Sequence, residues 1–515
     1  MPVRCRTRPL LAALSVTVVA LVAGCSAAAD GASDSPPPGT VSTPTTPSGG
    51  PTASGPVATP GTIKNVVLVL ADDLEWPLWN DIPRLKALEA EGTTFTNYVV
   101  SDSLCCPSRT TIFRGQYVHN HHVVSNDQAS GGGWPVFRDQ GYPKDCLPVW
   151  LHKAGVRTGL VGKYLNQFPH RRGDLAIAHQ GWDDFVVPTS HRAEYRGYDY
   201  RLDDNGTIDA HGSAPTDFLN DVLTSKATDF IGTAGDHFFL ELATFTPHLP
   251  APVAPRNLGT HTGERAPRDP AWDTAVTNAP HWLAGLPPFT AATAAHLDRT
   301  WVRRARSAES VADSVDAVRA ALAASGHTDD TLLLVTSDNG FHTGSYRLHR
   351  GKRTAFDDDT VVPMVAIGPG VAAGRTVPQM TSETDLAPTI SEELGAGHPD
   401  WVDGRSWKDL LAGPVGHWRS GVLSESLGTT LPGDPDFQLI APPSFTALRT
   451  ERWLYVETPG QRSELYDRLN DPYELHNIIG TAPRQTLAAL HRQLVAMQRC
   501  AGPTCRVADA LPGTA

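Results

Sequence analysis

The segment Ser103-Leu104-Cys105-Cys106-Pro107-Ser108-Arg109 brings a nucleophile and a permanent cation close together. Pro107 suits the first position of a helix, where its missing N–H is not needed. Gly115 is a proper stop for that helix. The spacing therefore predicts a helix over 107–114, with Cys105 just before its N-terminus, where free N–H groups and the dipole favour an anion. Arg109, in the first turn, can aim its guanidinium at the same place. Together these features describe a site for an anionic ester with Cys105 as nucleophile. The same residues also read as a buried or disulfide-bonded cysteine beside a capped helix.

A second set carries acids. Residues 63–71 and 331–336 are nearly unbroken apolar runs, and they lead into Asp72-Asp73 and Asp338-Asn339-Gly340. An aspartate after a strand is commonly a cap or turn residue. Two such pairs go further: if the strands are neighbours, three carboxylates and an amide oxygen converge, and they repel unless a cation lies between them. All-oxygen donors favour a hard ion, calcium or magnesium, over zinc. Calcium is the expectation, because its flexible shell suits several direct protein ligands. Asp357 and Asp359 are expected to be solvated.

These residues need a scaffold. Strands apolar along their whole length must be covered on both faces, so 63–71 and 331–336 read as central strands of a helix-flanked, largely parallel sheet. Residues 236–245, leading to Pro247-His248, and 362–367 are further candidate strands. Helices are expected over 83–91, 107–114, 147–154 and 301–325. The class is α/β, doubly wound, and such sheets bind ligands beyond the carboxyl ends of their strands. Past about residue 440 the pattern changes. Residues 444–457 alternate apolar and polar as a half-exposed strand does, 464–467 can return as partner, and 483–499 reads as a helix. These make a small C-terminal antiparallel subdomain.

The chain has 515 residues and a formal net charge of -12, with no basic stripe interleaved with aromatics, which argues against a nucleic-acid partner. An acidic total still leaves room for a basic pocket. Arg4, Arg6 and Arg8 precede the apolar run 10–23, a secretory signal. It ends Val22-Ala23-Gly24-Cys25, similar to the bacterial lipobox, whose cysteine is lipidated and becomes the mature N-terminus. Residues 26–60, almost all Ser, Thr, Pro, Gly and Ala, lack apolar surface to offset their ordering entropy and read as a disordered tether. The expected domains are a signal with lipobox over 1–25, a tether over 26–60, a catalytic domain over 61–440 and the C-terminal subdomain over 441–515. An enzyme outside the bacterial membrane, anchored through Cys25 or secreted, is the expectation. Of seven cysteines, Cys5 and Cys25 belong to the signal, leaving an odd number. Cys500 and Cys505 are close enough for a local bridge, Cys106 and Cys146 are open, and the one left over needs a job.

Cys105-x-Pro107-Ser108-Arg109 resembles the signature of the sulfatase family, in which that cysteine is oxidised during export to formylglycine. Asp72-Asp73, Asp338-Asn339-Gly340, Lys352 before Phe356-Asp357, and Glu464-Leu465-Tyr466-Asp467 fall in that family's order. The run Gln116-Tyr117-Val118-His119-Asn120-His121-His122-Val123, then Gly162-Lys163-Tyr164-Leu165-Asn166, is most similar to the N-acetylglucosamine-6-sulfatases. The resemblance implies an alkaline-phosphatase-like fold and a sulfuric ester hydrolase acting on a sulfated, glycosaminoglycan-type carbohydrate. It implies maturation by a formylglycine-generating enzyme, and a calcium ion held by Asp72, Asp73, Asp338, Asn339 and position 105. Catalysis would fall to Cys105, Arg109, Lys163, His248 and Lys352. The hydrated aldehyde attacks sulfur, His248 protonates the leaving oxygen, and loss of the second hydroxyl's proton releases the covalent sulfate.

Many sulfatases carry a histidine two residues beyond the lysine that Lys163 matches. Leu165 stands there, which leaves the base for release unassigned among His119, His121, His122, His342 and His349. Arg350 and Arg353 are solvated or meet further sulfates on a polymer. The alternatives within the superfamily are an arylsulfatase or a phosphate or phosphonate ester hydrolase. From another class, the alternative is a non-catalytic surface protein that binds sulfated glycans.

Overall fold

In the computed structural model of this chain, residues 62–511 are described, apart from His417 and Leu439. The signal, the lipobox with Cys25 and the tether all lie outside the described residues.

The strand Asn65–Ala71 is buried at every position because it lies between two parallel neighbours, Phe238–Ala243 and Thr331–Ser337. Its side chains alternate between two cores: Val66, Leu68 and Leu70 face one, Val67, Val69 and Ala71 the other. That is the pleat's period of two with both faces covered, which is why the strand has no polar side. Ten strands make the sheet, in the order Arg375–Val377, Thr93–Phe95, Met364–Ile367, Thr331–Ser337, Asn65–Ala71, Phe238–Ala243, Arg157–Gly162, Asp184–Pro188, Arg201–Asp204, Thr207–Ala210. The five from Thr331–Ser337 to Asp184–Pro188 are parallel. Met364–Ile367 and the hairpin at the far edge pair antiparallel.

Helix Ala291–Ala324 covers one face through Trp301, Ala305, Ala308, Val311, Val315 and Val318. It starts at 291 rather than 301, where Thr290 caps it by accepting from Thr293 N; its first turns are alanine-rich and mostly exposed, with Leu297 as their buried apolar side chain, so they show no apolar stripe. Helices Cys105–Arg114, Leu147–Lys153 and Leu386–Glu393 cover the other face, with Ile112, Phe113, Leu147, Leu151 and Ile390 in its core.

A separate antiparallel sheet follows: Gly421–Ser426, Phe445–Thr450, Trp453–Glu457 and Glu464–Asp467. Its first strand comes from before residue 441. The single strand expected over 444–457 is a hairpin that turns at Glu451-Arg452, and it is not half-exposed. Leu448, Tyr455 and Leu465 pack on Leu490, Leu494 and Met497 of helix Arg484–Gln498. Phe445, Ala447, Leu454 and Val456 pack on Tyr346, Leu348 and Phe356 of the larger part, so both faces are covered. Cys500 and Cys505 form the expected bridge, whereas Cys105, Cys106 and Cys146 are free and buried. No described helix is long and apolar enough to cross a membrane.

Candidate active site

Strand register assembles the site. Ala71 pairs with Ser337, Leu70 with Ala243, and Ala243 with Gly162, so four strands end at one level. The residues that follow, Asp72-Asp73, Asp338-Asn339 and Lys163, emerge together at the carboxyl edge. Backbone bonds hold the exits: Asp338 N donates to Ala71 O (3.1 Å) and Lys163 N to Ala243 O (2.8 Å). Gly162 permits this approach, with φ at +119° and a Cβ that would lie 1.9 Å from Ala243 O.

Cys105 is the first residue of its helix rather than the one before it, with extended Leu104 as the cap. Pro107 takes the third position, still within the turn that has no N–H partners to lose. Gly115 ends the helix at φ 63°. Ser108 Oγ lies 2.6 Å from Asp338 O and 2.5 Å from Glu383 Oε1, tying the helix to a strand end. Arg109 Nε donates to Asp338 Oδ2 (2.8 Å) and Nη1 to Lys163 O (3.0 Å), while Nη2 is buried with no partner.

Charges alternate around the cysteine. Lys352 Nζ donates to Cys105 Sγ (2.9 Å) and to Asp73 Oδ1 (2.5 Å); Lys163 Nζ donates to Asp72 Oδ2 (2.6 Å). Asp72 Oδ1 stands 3.4 Å from Cys105 Sγ. Asn339 Nδ2 donates to Asp73 Oδ1 (2.6 Å), and Asp73 N to Asp338 Oδ1 (3.2 Å). Burial alone would raise the Asp72 carboxyl, but Lys163, His248, Arg109 and Lys352 hold it well below the usual range. Burial pushes the Cys105 thiol well up, and Asp436 and Asp72 add to this, so a plain thiol here stays protonated and is a poor nucleophile.

His248 is a cation by geometry. Its two ring nitrogens face acceptors: Nδ1 the Leu249 carbonyl (2.5 Å), Nε2 Asp436 Oδ1 (2.9 Å) and, farther off, Asp73 Oδ2 (3.7 Å). Both nitrogens must therefore carry hydrogen. Burial works to lower the ring's pKa, yet Asp73, Asp72 and Asp436 bring it up to about 9.

Asp72, Asp73, Cys105, Arg109, Lys163, His248, Asp338, Asn339 and Lys352 thus lie in one buried constellation. Asp72, Asp73, Cys105 and His248 offer ligand atoms all within 4.8 Å of one another. Asp73 Oδ2 and Asn339 Oδ1 are buried oxygens with no hydrogen-bond partner. Three carboxylates and an amide, two of whose oxygens lack any partner, fit a hard divalent cation, to which a protonated His248 adds no donor.

Asp436 was not singled out from the sequence. It rides on the connection between Gly421–Ser426 and Phe445–Thr450, 331 positions from Cys105, and lies 3.5 Å from Cys105 Sγ. Besides His248 it accepts from Asn126 Nδ2 (2.8 Å) and stands 3.0 Å from Lys352 Nζ. Asn126, also missed, accepts from Cys106 N (2.9 Å) at the helix start. Pro432-Gly433-Asp434-Pro435-Asp436 reads locally as an ordinary turn, so no signal marked it.

Other expectations change. Asp359 is buried, accepting from Thr354 N (2.9 Å) and His342 Nδ1 (2.9 Å), and Asp357 pairs with Arg449 (2.9 Å) and Arg468 (2.6 Å). Arg353 is buried and donates to Gly428 O (2.5 Å), whereas Arg350 is exposed. His119 is held by Glu425 (2.7 Å), His121 by Thr111 (3.0 Å), and His122 and His349 are exposed. None of the five candidate bases makes a hydrogen bond to Cys105 among the described residues. Leu165 packs into the apolar core.

Residues 64–396 match the Sulfatase family model, and 344–500 match that of N-sulphoglucosamine sulphohydrolase, C-terminal. The N-acetylglucosamine-6-sulfatase of Capra hircus is 32% identical over 479 residues, which are 86% of this chain and 84% of that one. A protein solved in complex with its substrate D-glucosamine-2-N,6-O-disulfate superposes with a TM-score of 0.70 at 19% identity, covering 88% of this chain and 99% of its own. The phosphonate monoester hydrolase of Agrobacterium radiobacter reaches 0.64 at 22% identity, covering 84% and 96%. At these identities both structures speak to the fold alone.

Proposed function

This chain belongs to the sulfatase family and is a sulfuric ester hydrolase, and from that premise we propose that it removes sulfate from a sulfated glucosamine-type sugar. The 32% identity to an N-acetylglucosamine-6-sulfatase supports the sugar class. The site reading is carried by one observation: Cys105 opens a buried helix with Lys352 and Asp72 at its sulfur.

In this reading a formylglycine-generating enzyme matures Cys105, and Asp72, Asp73, Asp338 and Asn339 hold a calcium ion beside it. Formylglycine would supply a hydrated aldehyde whose one hydroxyl attacks sulfur and whose other frees the sulfate, with calcium as Lewis acid. Arg109, Lys163 and Lys352 orient the sulfuryl oxygens and offset charge as it redistributes. His248 Nε2 gives its proton to the leaving sugar oxygen. Once neutral, the ring lies within 4.8 Å of position 105 and takes the proton whose loss ends the cycle. One histidine then serves both steps, in a chain whose Leu165 is committed to the core.

The apolar run 10–23 and Val22-Ala23-Gly24-Cys25 support export and lipid anchoring at Cys25, with 26–60 as tether. Residues 61–440 carry the catalytic groups, and 441–515 close the small sheet.

Steady-state rates on 6-O-sulfated N-acetylglucosamine, an aryl sulfate and an aryl phosphate check the reading. The highest kcat/KM is expected on the sulfated sugar; faster turnover of the phosphate would sink it. Mass spectrometry of the Cys105 peptide from the native host is expected to show the aldehyde, and Cys105→Ala should abolish turnover without changing thermal unfolding. An unmodified thiol would favour a binding protein instead.

A further inference from the structure

Beside the catalytic pocket lies a wall of arginines that the reaction does not use. A cavity of 780 Å³ opens from His248 and Lys352 and is lined farther out by Arg192, Arg196, Arg299, Arg303 and Arg350. A second cavity, of 620 Å³, shares Arg196, Arg299 and Arg303 with it and adds Arg306, so the two form one groove. Arg299, Arg303 and Arg306 recur every three or four residues along helix Ala291–Ala324 and so share a face.

The electrostatics of this groove are one-sided. The chain's net charge is -12, yet none of these six guanidiniums pairs with a carboxylate among the described residues. Some surface arginines elsewhere do, Arg84 with Glu309, Arg256 with Asp221 and Arg319 with Glu91, while others, such as Arg172, Arg201 and Arg492, stand singly; the groove differs in gathering six together. The acids that reach the outer cavity are already taken, Asp298 by Arg268 and Glu264 by His261. The groove arginines are instead positioned by uncharged acceptors. Arg303 Nε donates to Ala251 O (3.0 Å), Arg306 Nε to Thr260 O (2.8 Å) and Arg192 Nη2 to Gly433 O (3.2 Å), which leaves the remaining nitrogens free. The like charges act on one another: burial lowers the pKa of Arg350 and of His296, and neighbouring cations, Arg304 and Arg303 for one and Arg350 and Arg299 for the other, lower both further. Convergent cations without internal partners are offset by an external anion, and a guanidinium fork matches sulfate or carboxylate.

We propose that this groove is an anion subsite for the substrate's own chain. The sugar that presents its sulfate at position 105 belongs to an oligosaccharide whose neighbouring unit carries a further sulfate or carboxylate, seated on Arg299 and Arg303. The direction follows from His248, which lines this cavity and protonates the leaving oxygen, so the alcohol half of the ester extends along the arginines. A small aryl sulfate would leave them unused. The inference rests on the sulfated-sugar reading but draws on different residues.

The test uses the full chain, with isothermal titration of a fully sulfated glucosamine–uronate tetrasaccharide and of 6-O-sulfated N-acetylglucosamine, at two salt concentrations. Arg299 and Arg303 are exposed, so R299Q and R299Q/R303Q should leave the fold intact. The tetrasaccharide is expected to bind at least about tenfold tighter than the monosaccharide, and the double variant to lose that margin and flatten its salt dependence. kcat/KM on the tetrasaccharide should fall through KM, with rates on the monosaccharide unchanged. The titrations are done in the Cys105→Ala background, which binds without turnover, so failure of the wild-type chain to hydrolyse either sugar would count against the sulfated-sugar reading alone. The subsite is overturned if the double variant binds the tetrasaccharide as wild type does, or if R319Q weakens it equally. Vesicles of anionic lipid that need these arginines, with the tetrasaccharide indifferent to them, would also overturn it.

Discussion

His248 illustrates how a single side chain acquires its role from what faces it. A histidine in a loop would ordinarily be half protonated near neutral pH. Here Leu249 O and Asp436 require a hydrogen on each ring nitrogen, and the surrounding carboxylates stabilise the resulting cation. An acid held in that state matters most when the leaving group is poor. His248→Gln should therefore cost roughly 10²–10⁴-fold in kcat on a sugar sulfate. On nitrophenyl sulfate, whose leaving group needs little protonation, the loss should be far smaller. Equal losses on the two esters would remove His248 from the acid's role.

At the scale of elements, strand register and a few clamps do the positioning. The turn Asp357–Thr360 follows the Lys352 loop, and Asp357 binds Arg449 of strand Phe445–Thr450 together with Arg468. This joins the small sheet to the segment that carries Lys352. Burial acts to raise the Asp357 carboxyl, but Arg449 and Arg468 more than offset that and hold it below the usual range. A lowered folded-state pKa contributes stability that is fully present above the unfolded pKa and is lost as pH falls toward the folded one. Asp357→Asn should then lower Tm by a constant margin from neutral pH down to about 4, the unfolded aspartate value, with the margin shrinking below it. Thermal unfolding of both proteins across that range checks the sign; a margin that grows on acidification would contradict the clamp.

At the scale of the whole molecule, the C-terminal sheet borders the candidate active site rather than hanging from it as an appendage. Glu425 N donates to Ser101 O (2.7 Å), and Ser424 Oγ to Val100 O (2.6 Å), just ahead of the Cys105 helix. The connection that leaves Ser426 brings Asp436 to His248 and Lys352. Phe445, Leu454 and Val456 also cover Tyr346 and Phe356, which would otherwise be bare apolar surface. A chain ending at residue 440 keeps every residue proposed for catalysis and metal binding, yet it should aggregate or lose cooperative unfolding by circular dichroism. A soluble, active truncation would show that the sheet is dispensable.

What the sequence determined by itself was local chemistry and local periodicity. Cys105, Pro107, Ser108 and Arg109 stand within one turn of helix, and the acids stand at the ends of strands whose unbroken apolar runs required cover on both faces. Those facts carry the α/β class and the core of the site, because caps, dipoles and pleats act between neighbours in the chain. The tertiary structure decided the rest. It added Asp436 and Asn126, buried Asp359, paired Asp357 with Arg449 and Arg468, sent Leu165 into the core, and aligned arginines from residues 192–196, 299–306 and 350 along one groove. Each of these depends on which distant segments pack together, and a turn such as Pro432-Gly433-Asp434-Pro435-Asp436 has the same local pattern whether it faces water or closes over a nucleophile.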